Sequence, residues 1–174
     1  MTIKTIISAL RSEELPALVA LVNSAYRGES SQKGWTTEAD LLDGIRTDEH
    51  SIKTLMEQPG AQILVAHDSA DSLIGCVYLF KQNASLYLGM LTVVPDMQAQ
   101  GIGKQLLAAA EAHAKAVECT SIVMSVIDSR KELIAWYERH GFIATGETKP
   151  FPSDPAFGIP RQKIQFIIMQ KIMA

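Results

Sequence analysis

Cysteine is scarce: Cys76 and Cys119 are the two thiols in 174 residues. Two scattered cysteines build no disulfide framework, and Cys76 sits in an apolar run over 73–80, so a buried free thiol is expected there. The four histidines, His50, His67, His113 and His140, stand apart, which removes the ligand spacings of a structural zinc and leads us to expect no metal. No stretch offers the roughly 20 apolar residues that span a bilayer. Residues 1–5 also lack the apolar core of a secretion signal, so the cytoplasm is the expected compartment. Neither sign of charge dominates: the net charge is −3, which argues against nucleic acid or an anionic membrane as partner and leaves a weak preference for cations. Repeats and linkers are missing as well. With 47% hydrophobic residues, the composition suits one globular domain over 1–174.

What the chain does contain is an ordered change of hydrophobic period. Residues 2–8 predict an opening strand, and Ser12 is the expected N-cap of a helix in which Leu15, Leu18, Val19 and Val22 recur at helical spacing as far as Tyr26. A polar loop over 27–34 leads to a second predicted helix through Leu41, Leu42 and Ile45, and a short third one from Ser51 stops at Pro59-Gly60. Strands are then expected over 62–67, 73–81 and 85–94, separated by turns at 68–72 and Gln82-Asn83, as in an antiparallel meander. A long amphipathic helix over 101–117 buries Gly103, Leu106, Leu107, Ala110, Ala114 and Val117 and leaves Glu111 and Lys115 as an i,i+4 pair. A β-branched strand over 121–127, a helix over 130–140 closed by Gly141, a strand from Phe142, a proline-rich loop over 149–160 and a last strand over 164–172 complete the order. That succession predicts an α/β (α+β) fold, a mixed and mostly antiparallel sheet of about seven strands with helices on its faces.

One junction carries chemistry. The strand ending Val93-Val94-Pro95 runs through Gln98-Ala99-Gln100-Gly101-Ile102-Gly103-Lys104 into the long helix. Glycine lets the backbone approach a ligand, the first helical N–H groups have no partners within the helix, and the helix dipole favours an anion such as phosphate there. Lys104 adds positive charge. By itself the pattern also describes a tight strand-to-helix turn. The dinucleotide fingerprint fails because its third glycine position is Leu106, and no Gly-Lys-Ser/Thr ending supports a nucleoside-triphosphate loop.

Gln98-x-x-Gly101-x-Gly103 after Val93-x-Pro95, followed 34 residues later by Tyr137-Glu138-Arg139-His140-Gly141-Phe142, resembles the GCN5-related N-acetyltransferase (GNAT) superfamily. The resemblance covers the whole order of elements. It implies a GNAT-like fold in which the parallel strands ending near Val94 and Ile127 splay apart and take the pantetheine arm of acetyl-CoA between them. It further implies that Leu91, Thr92 and Val93 pair with that arm through their backbone and that the N–H groups of residues 98–104 hold the pyrophosphate. Where the family often has an asparagine, this chain has Arg130, either a phosphate contact or a solvated charge at a helix start. Tyr137 matches the family's frequent general acid; its alternative role is a core aromatic beside Leu133, Trp136 and His140. Acetyl-CoA is the implied cosubstrate, a primary amine of a small molecule or a protein N-terminus the implied acceptor, attack in a ternary complex the implied mechanism, and a homodimer a further expectation.

The base is not marked. An amine of ordinary pKa near 10.4 must lose a proton before it attacks, yet the strand Ser85-Leu86-Tyr87-Leu88-Gly89-Met90 has no carboxylate. Glu29 and Glu38 are candidate bases on the acceptor side, and Tyr87 a candidate for ordering water. Tyr26 and Trp35 are candidates for the acceptor pocket. From Arg27 to Glu49 six acidic residues face three basic ones, suited to drawing in a cationic amine or to a solvated helix face. The long loop over 149–161 covers the acceptor site or makes a dimer contact on this reading. The missing strand carboxylate keeps a second reading open, a non-catalytic module that binds acyl-CoA.

Overall fold

The computed structural model of the chain describes residues 5–26, 42–43, 47–97, 101–150, 159–160 and 164–173. The strands are β1 (Ile6–Ala9), β2 (Leu42–Asp43), β3 (Ala61–His67), β4 (Leu73–Gln82), β5 (Ser85–Val93), β6 (Ser121–Ile127), β7 (Ile143–Pro150), β8 (Ile159–Pro160) and β9 (Gln165–Ile172). The helices are α1 (Leu15–Tyr26), α2 (Glu49–Met56), α3 (Ile102–Ala116) and α4 (Lys131–Arg139). Seven strands form one mixed sheet in the order β1-β3-β4-β5-β6-β9-β7, antiparallel except where β5 meets β6.

Strand alternation sorts the apolar side chains onto two faces. Ile63, Val65, Cys76 and Tyr78 pack with Leu18, Leu21 and Val22 of α1 and Ile52 of α2. Val77, Leu79, Leu86 and Leu88 pack on the other face with Ile102, Leu106, Leu107, Ala110 and Ala114 of α3, and with Tyr137 of α4. The predicted buried face of the long helix is therefore observed, apart from its two ends. Gly75 lets α3 lie close: a Cβ there would sit 3.0 Å from both Leu106 Cδ1 and the Thr92 carbonyl oxygen. Both cysteines are buried free thiols.

Three local expectations are corrected by tertiary contacts. Leu42 is not helical; Leu42–Asp43 pairs antiparallel with Ile159–Pro160, a partner that local periodicity cannot reveal. Ser12 does not cap the first helix. A 3-10 turn over Ser12–Glu14 precedes α1, and the Glu14 carboxylate reaches back to accept the Arg11 backbone N–H at 3.0 Å. Glu111 makes its ion pair with Lys171 of β9, not with Lys115, because α3 lies against the sheet at that point. The strand edge at β7 carries its own protection: the register shifts between Ala144 and Thr148, Gly146 has φ +90°, and Thr145 Oγ1 donates to the Ile168 carbonyl. Such a bulge, with Glu147 and Lys149 beside it, discourages edge-to-edge pairing.

Candidate active site

The site begins where the sheet comes apart. β5 and β6 run parallel, but only Ser85↔Ser121, Leu86↔Ile122 and Tyr87↔Val123 are paired. Past Tyr87, β5 continues to Val93 against β4, while β6 continues to Ile127 against β9. The closed end is pinned by a Ser85–Ser121 hydroxyl hydrogen bond of 2.8 Å and by the Thr120 N–H donating to the Ala84 carbonyl at 2.7 Å. The other end opens as a V, with α3 leaving from the β5 side and α4 from the β6 side.

A bulge in β5 shapes the inner wall of that V. Cys76 pairs with Thr92 and Tyr78 with Gly89, so two residues of β5, Met90 and Leu91, oppose Val77 alone. Met90 takes φ +53°, a left-handed conformation that is uncommon for a side chain other than glycine. Its carbonyl is held by the Thr92 hydroxyl at 2.9 Å and by the Cys76 thiol at 3.5 Å. The bulge shifts the phase of the alternation by one residue, so Met90 joins Tyr87 on the α1 face and Leu91 and Val93 join Leu86 and Leu88 on the α3 face. Sequence reading missed this device; its signal is the apolar pair Met90-Leu91 directly after a glycine.

At the mouth, Gly101 is the N-cap of α3 with φ +85°, where a side chain would be strained. Gly103 is not among the glycines of positive φ; a Cβ there would make ordinary contact with the Trp136 indole, at 3.4 and 3.5 Å. Ile102 is buried and Lys104 exposed. A 15-residue helix thus presents its N-terminus, with a cation on its first turn, at the open end of the V. That geometry fits a diphosphate with an extended arm. Gln98, Ala99, Gln100, Glu29, Trp35 and Glu38 lie outside the described residues, as does the side chain of Tyr26.

Arg130 occupies the N-cap of α4 and is 8% exposed, which rules out a solvated helix-start charge. Tyr137 is 5% exposed; its ring is edge-on to Trp136 at 5.2 Å and to Phe142 at 5.7 Å. Tyr87 stands at the last paired position of the V, half-buried on the α1 face, its ring 3.0 Å from where a Gly89 Cβ would be and edge-on to Tyr78 at 6.3 Å. Burial and the neighbouring Tyr87 push the Tyr78 phenol up. Away from the V, buried His67 meets Glu14 at 2.5 Å. Burial raises the Glu14 carboxyl, but hydrogen bonds from Arg11 and His67 outweigh it and hold it at about 2. Among the described residues no group of three or more potential metal ligands occurs, and no helix is long and apolar enough to cross a membrane.

A mixed sheet split at one parallel pair, with a glycine-capped helix at its mouth, defines the frame of the acyl-CoA N-acyltransferases that the sequence resembles. A family model described as an acetyltransferase (GNAT) domain matches residues 37–152, and the chain belongs to that family of N-acetyltransferases. Comparison with curated proteins finds no match. Among solved structures the fold is similar to that of the ribosomal-protein-S18-alanine N-acetyltransferase from Escherichia coli, at 18% identity and TM-score 0.72 over 98% of this chain and 95% of that one. It is also similar to the ribosomal-protein-alanine N-acetyltransferase from Brucella melitensis (22%, TM-score 0.70, 97% and 99%). A third is the spermidine N-acetyltransferase from Vibrio cholerae in complex with CoA and spermine (18%, TM-score 0.71, 97% and 95%).

Proposed function

We propose that this protein transfers the acetyl group of acetyl-CoA to a primary amine, of a small molecule or a protein N-terminus, by direct attack within a ternary complex. The observation that carries this reading is the β5–β6 ladder ending at Tyr87↔Val123 while α3 starts from Gly101 at the open end. Bound there, acetyl-CoA supplies an activated thioester carbonyl. The chain supplies the surroundings. Residues 98–104 are assigned to the pyrophosphate through their backbone N–H groups, and Lys104 adds charge. Leu91, Thr92 and Val93 border the gap and offer their backbone to the pantetheine arm. Arg130, at the start of the helix on the far side of the gap, is assigned to a coenzyme phosphate.

Tyr137 holds the proton that the departing thiolate takes. The amine must arrive neutral or lose its proton on site. Tyr87, at the vertex on the α1 face, is assigned to ordering a water for that purpose, with Glu29 and Glu38 as the carboxylates of the acceptor side. Tyr26 and Trp35 are assigned to acceptor binding.

The test is thiol release from acetyl-CoA across a panel of polyamines, aminoglycosides, amino acids and peptides with free N-termini, with calorimetry of acetyl-CoA binding alongside. Release dependent on one class of amine is expected. Tight binding with no release for any amine overturns catalysis in favour of a binding module.

A further inference from the structure

We propose that Trp136 is a positioning residue that sets the width of the coenzyme groove and lines it, coupling the phosphate end of α3 to Tyr137. The inference rests on the coenzyme reading above. Its starting point is Gly103, whose missing side chain serves no left-handed turn. A Cβ on Gly103 would lie 3.4 Å from Trp136 Cζ2, 3.5 Å from Cη2 and 3.9 Å from Val93 Cγ2. One methyl group makes ordinary contact in that space, and a branched side chain adds bulk beyond that contact. Gly103 is on the first turn of α3, beside the phosphate-binding N-terminus, and Val93 is the last residue of β5 at the mouth of the V. The indole therefore bridges the two helices that flank the gap.

Its orientation is fixed from behind. The His140 ring lies 4.2 Å away at 36°, and His140 Nδ1 is 2.8 Å from the Trp136 carbonyl oxygen. Tyr137, next in sequence, meets the indole edge-on at 5.2 Å. A half-buried indole held on these sides turns its six-membered ring toward α3. Any change in the distance between α3 and α4 moves it, and with it the backbone that carries Tyr137. A pantetheine arm entering between the helices passes this ring.

Three readouts test the proposal. Calorimetry of acetyl-CoA on the wild-type protein checks the coenzyme reading by itself. Tryptophan emission is then followed during the same titration: the wild type changes, and Trp136→Phe, which retains Trp35, loses that change. Finally, Gly103→Val is expected to raise the KM for acetyl-CoA by about tenfold or more with a smaller effect on kcat. In the Gly103→Val/Trp136→Leu double variant most of that loss is recovered, because the removed ring makes room for the new side chain. Thermal melts establish that each variant is folded. Calorimetric binding with an emission change that survives in Trp136→Phe overturns the inference and leaves the coenzyme site standing. So does a Gly103→Val defect of equal size in both backgrounds. Absence of acetyl-CoA binding to the wild type overturns both.

Discussion

Replacing Tyr137 by phenylalanine separates its two roles. The ring is 5% exposed and packs on Trp136 and Phe142, and phenylalanine keeps both contacts. Only the hydroxyl is lost. A buried hydroxyl contributes about 0.5–1.5 kcal/mol net through its hydrogen bond, which in a domain of this size lowers the melting temperature by no more than about 6 °C. The effect on turnover is larger. An ordinary phenol near pKa 10 gives its proton to a thiolate whose acid is near 8.5 at a cost of only about 1.5 units, roughly 2 kcal/mol, far less than water requires. General acids typically contribute about 10²–10⁴ in rate, so kcat should fall by more than about tenfold while the KM for acetyl-CoA stays within about threefold. An acetyl donor with an aryl thiolate leaving group needs less protonation, so the defect should shrink with it. The assay is thiol or thiophenol release under saturating amine, with a thermal melt of both proteins. An unchanged kcat, or a defect that is the same for both donors, refutes the role of the hydroxyl.

Other positions give equally direct readings. Gly75→Ala forces a methyl to within 3.0 Å of the Thr92 carbonyl, which cannot move without disturbing β5. Overpacking of this kind costs about 1–3 kcal/mol, and a urea denaturation midpoint equal to wild type would show that α3 is less tightly seated than described. Gly101→Ala places a side chain at φ +85°. A loss of about 1–2 kcal/mol in stability and weaker acetyl-CoA binding by calorimetry are expected, whereas full retention of both refutes the need for glycine. The Glu14 carboxyl is depressed from its ordinary 4.5 to about 2, so its ionised form is favoured in the folded state. Its contribution is then complete above pH 4.5 and is lost as the pH falls toward 2. Glu14→Gln should flatten the stability-versus-pH curve across that window. A curve parallel to that of the wild type would contradict the Arg11–Glu14–His67 arrangement.

Much of this was written in local pattern. Strand β6 over Ser121–Ile127 and the buried face of α3 follow from a period of two and a period of 3.6, which act over a few residues and need no distant partner. The positive φ at Gly101 and Gly141 follows from glycine's freedom at helix ends. The pair of motifs around Gly101 and Tyr137 was legible for the same reason, since each lies within one junction of the chain.

What the sequence by itself determined about this protein is therefore most of its elements, their order and the glycine-capped start of α3. Tertiary structure decided how those elements become a site. Leu42 reads as helical until Ile159–Pro160 offers it a strand partner. Met90 adopts φ +53° only because Thr92, Cys76 and the facing strand hold it there. Gly103 reads as a loop glycine, and only the fold shows the Trp136 indole, 33 residues further along, at 3.4 and 3.5 Å from where its Cβ would be. Arg130 reads equally as solvated or bound, and only the fold shows that it is 8% exposed. The V itself depends on β5 preferring β4 and β6 preferring β9, a competition among strands distant in sequence that no local window contains.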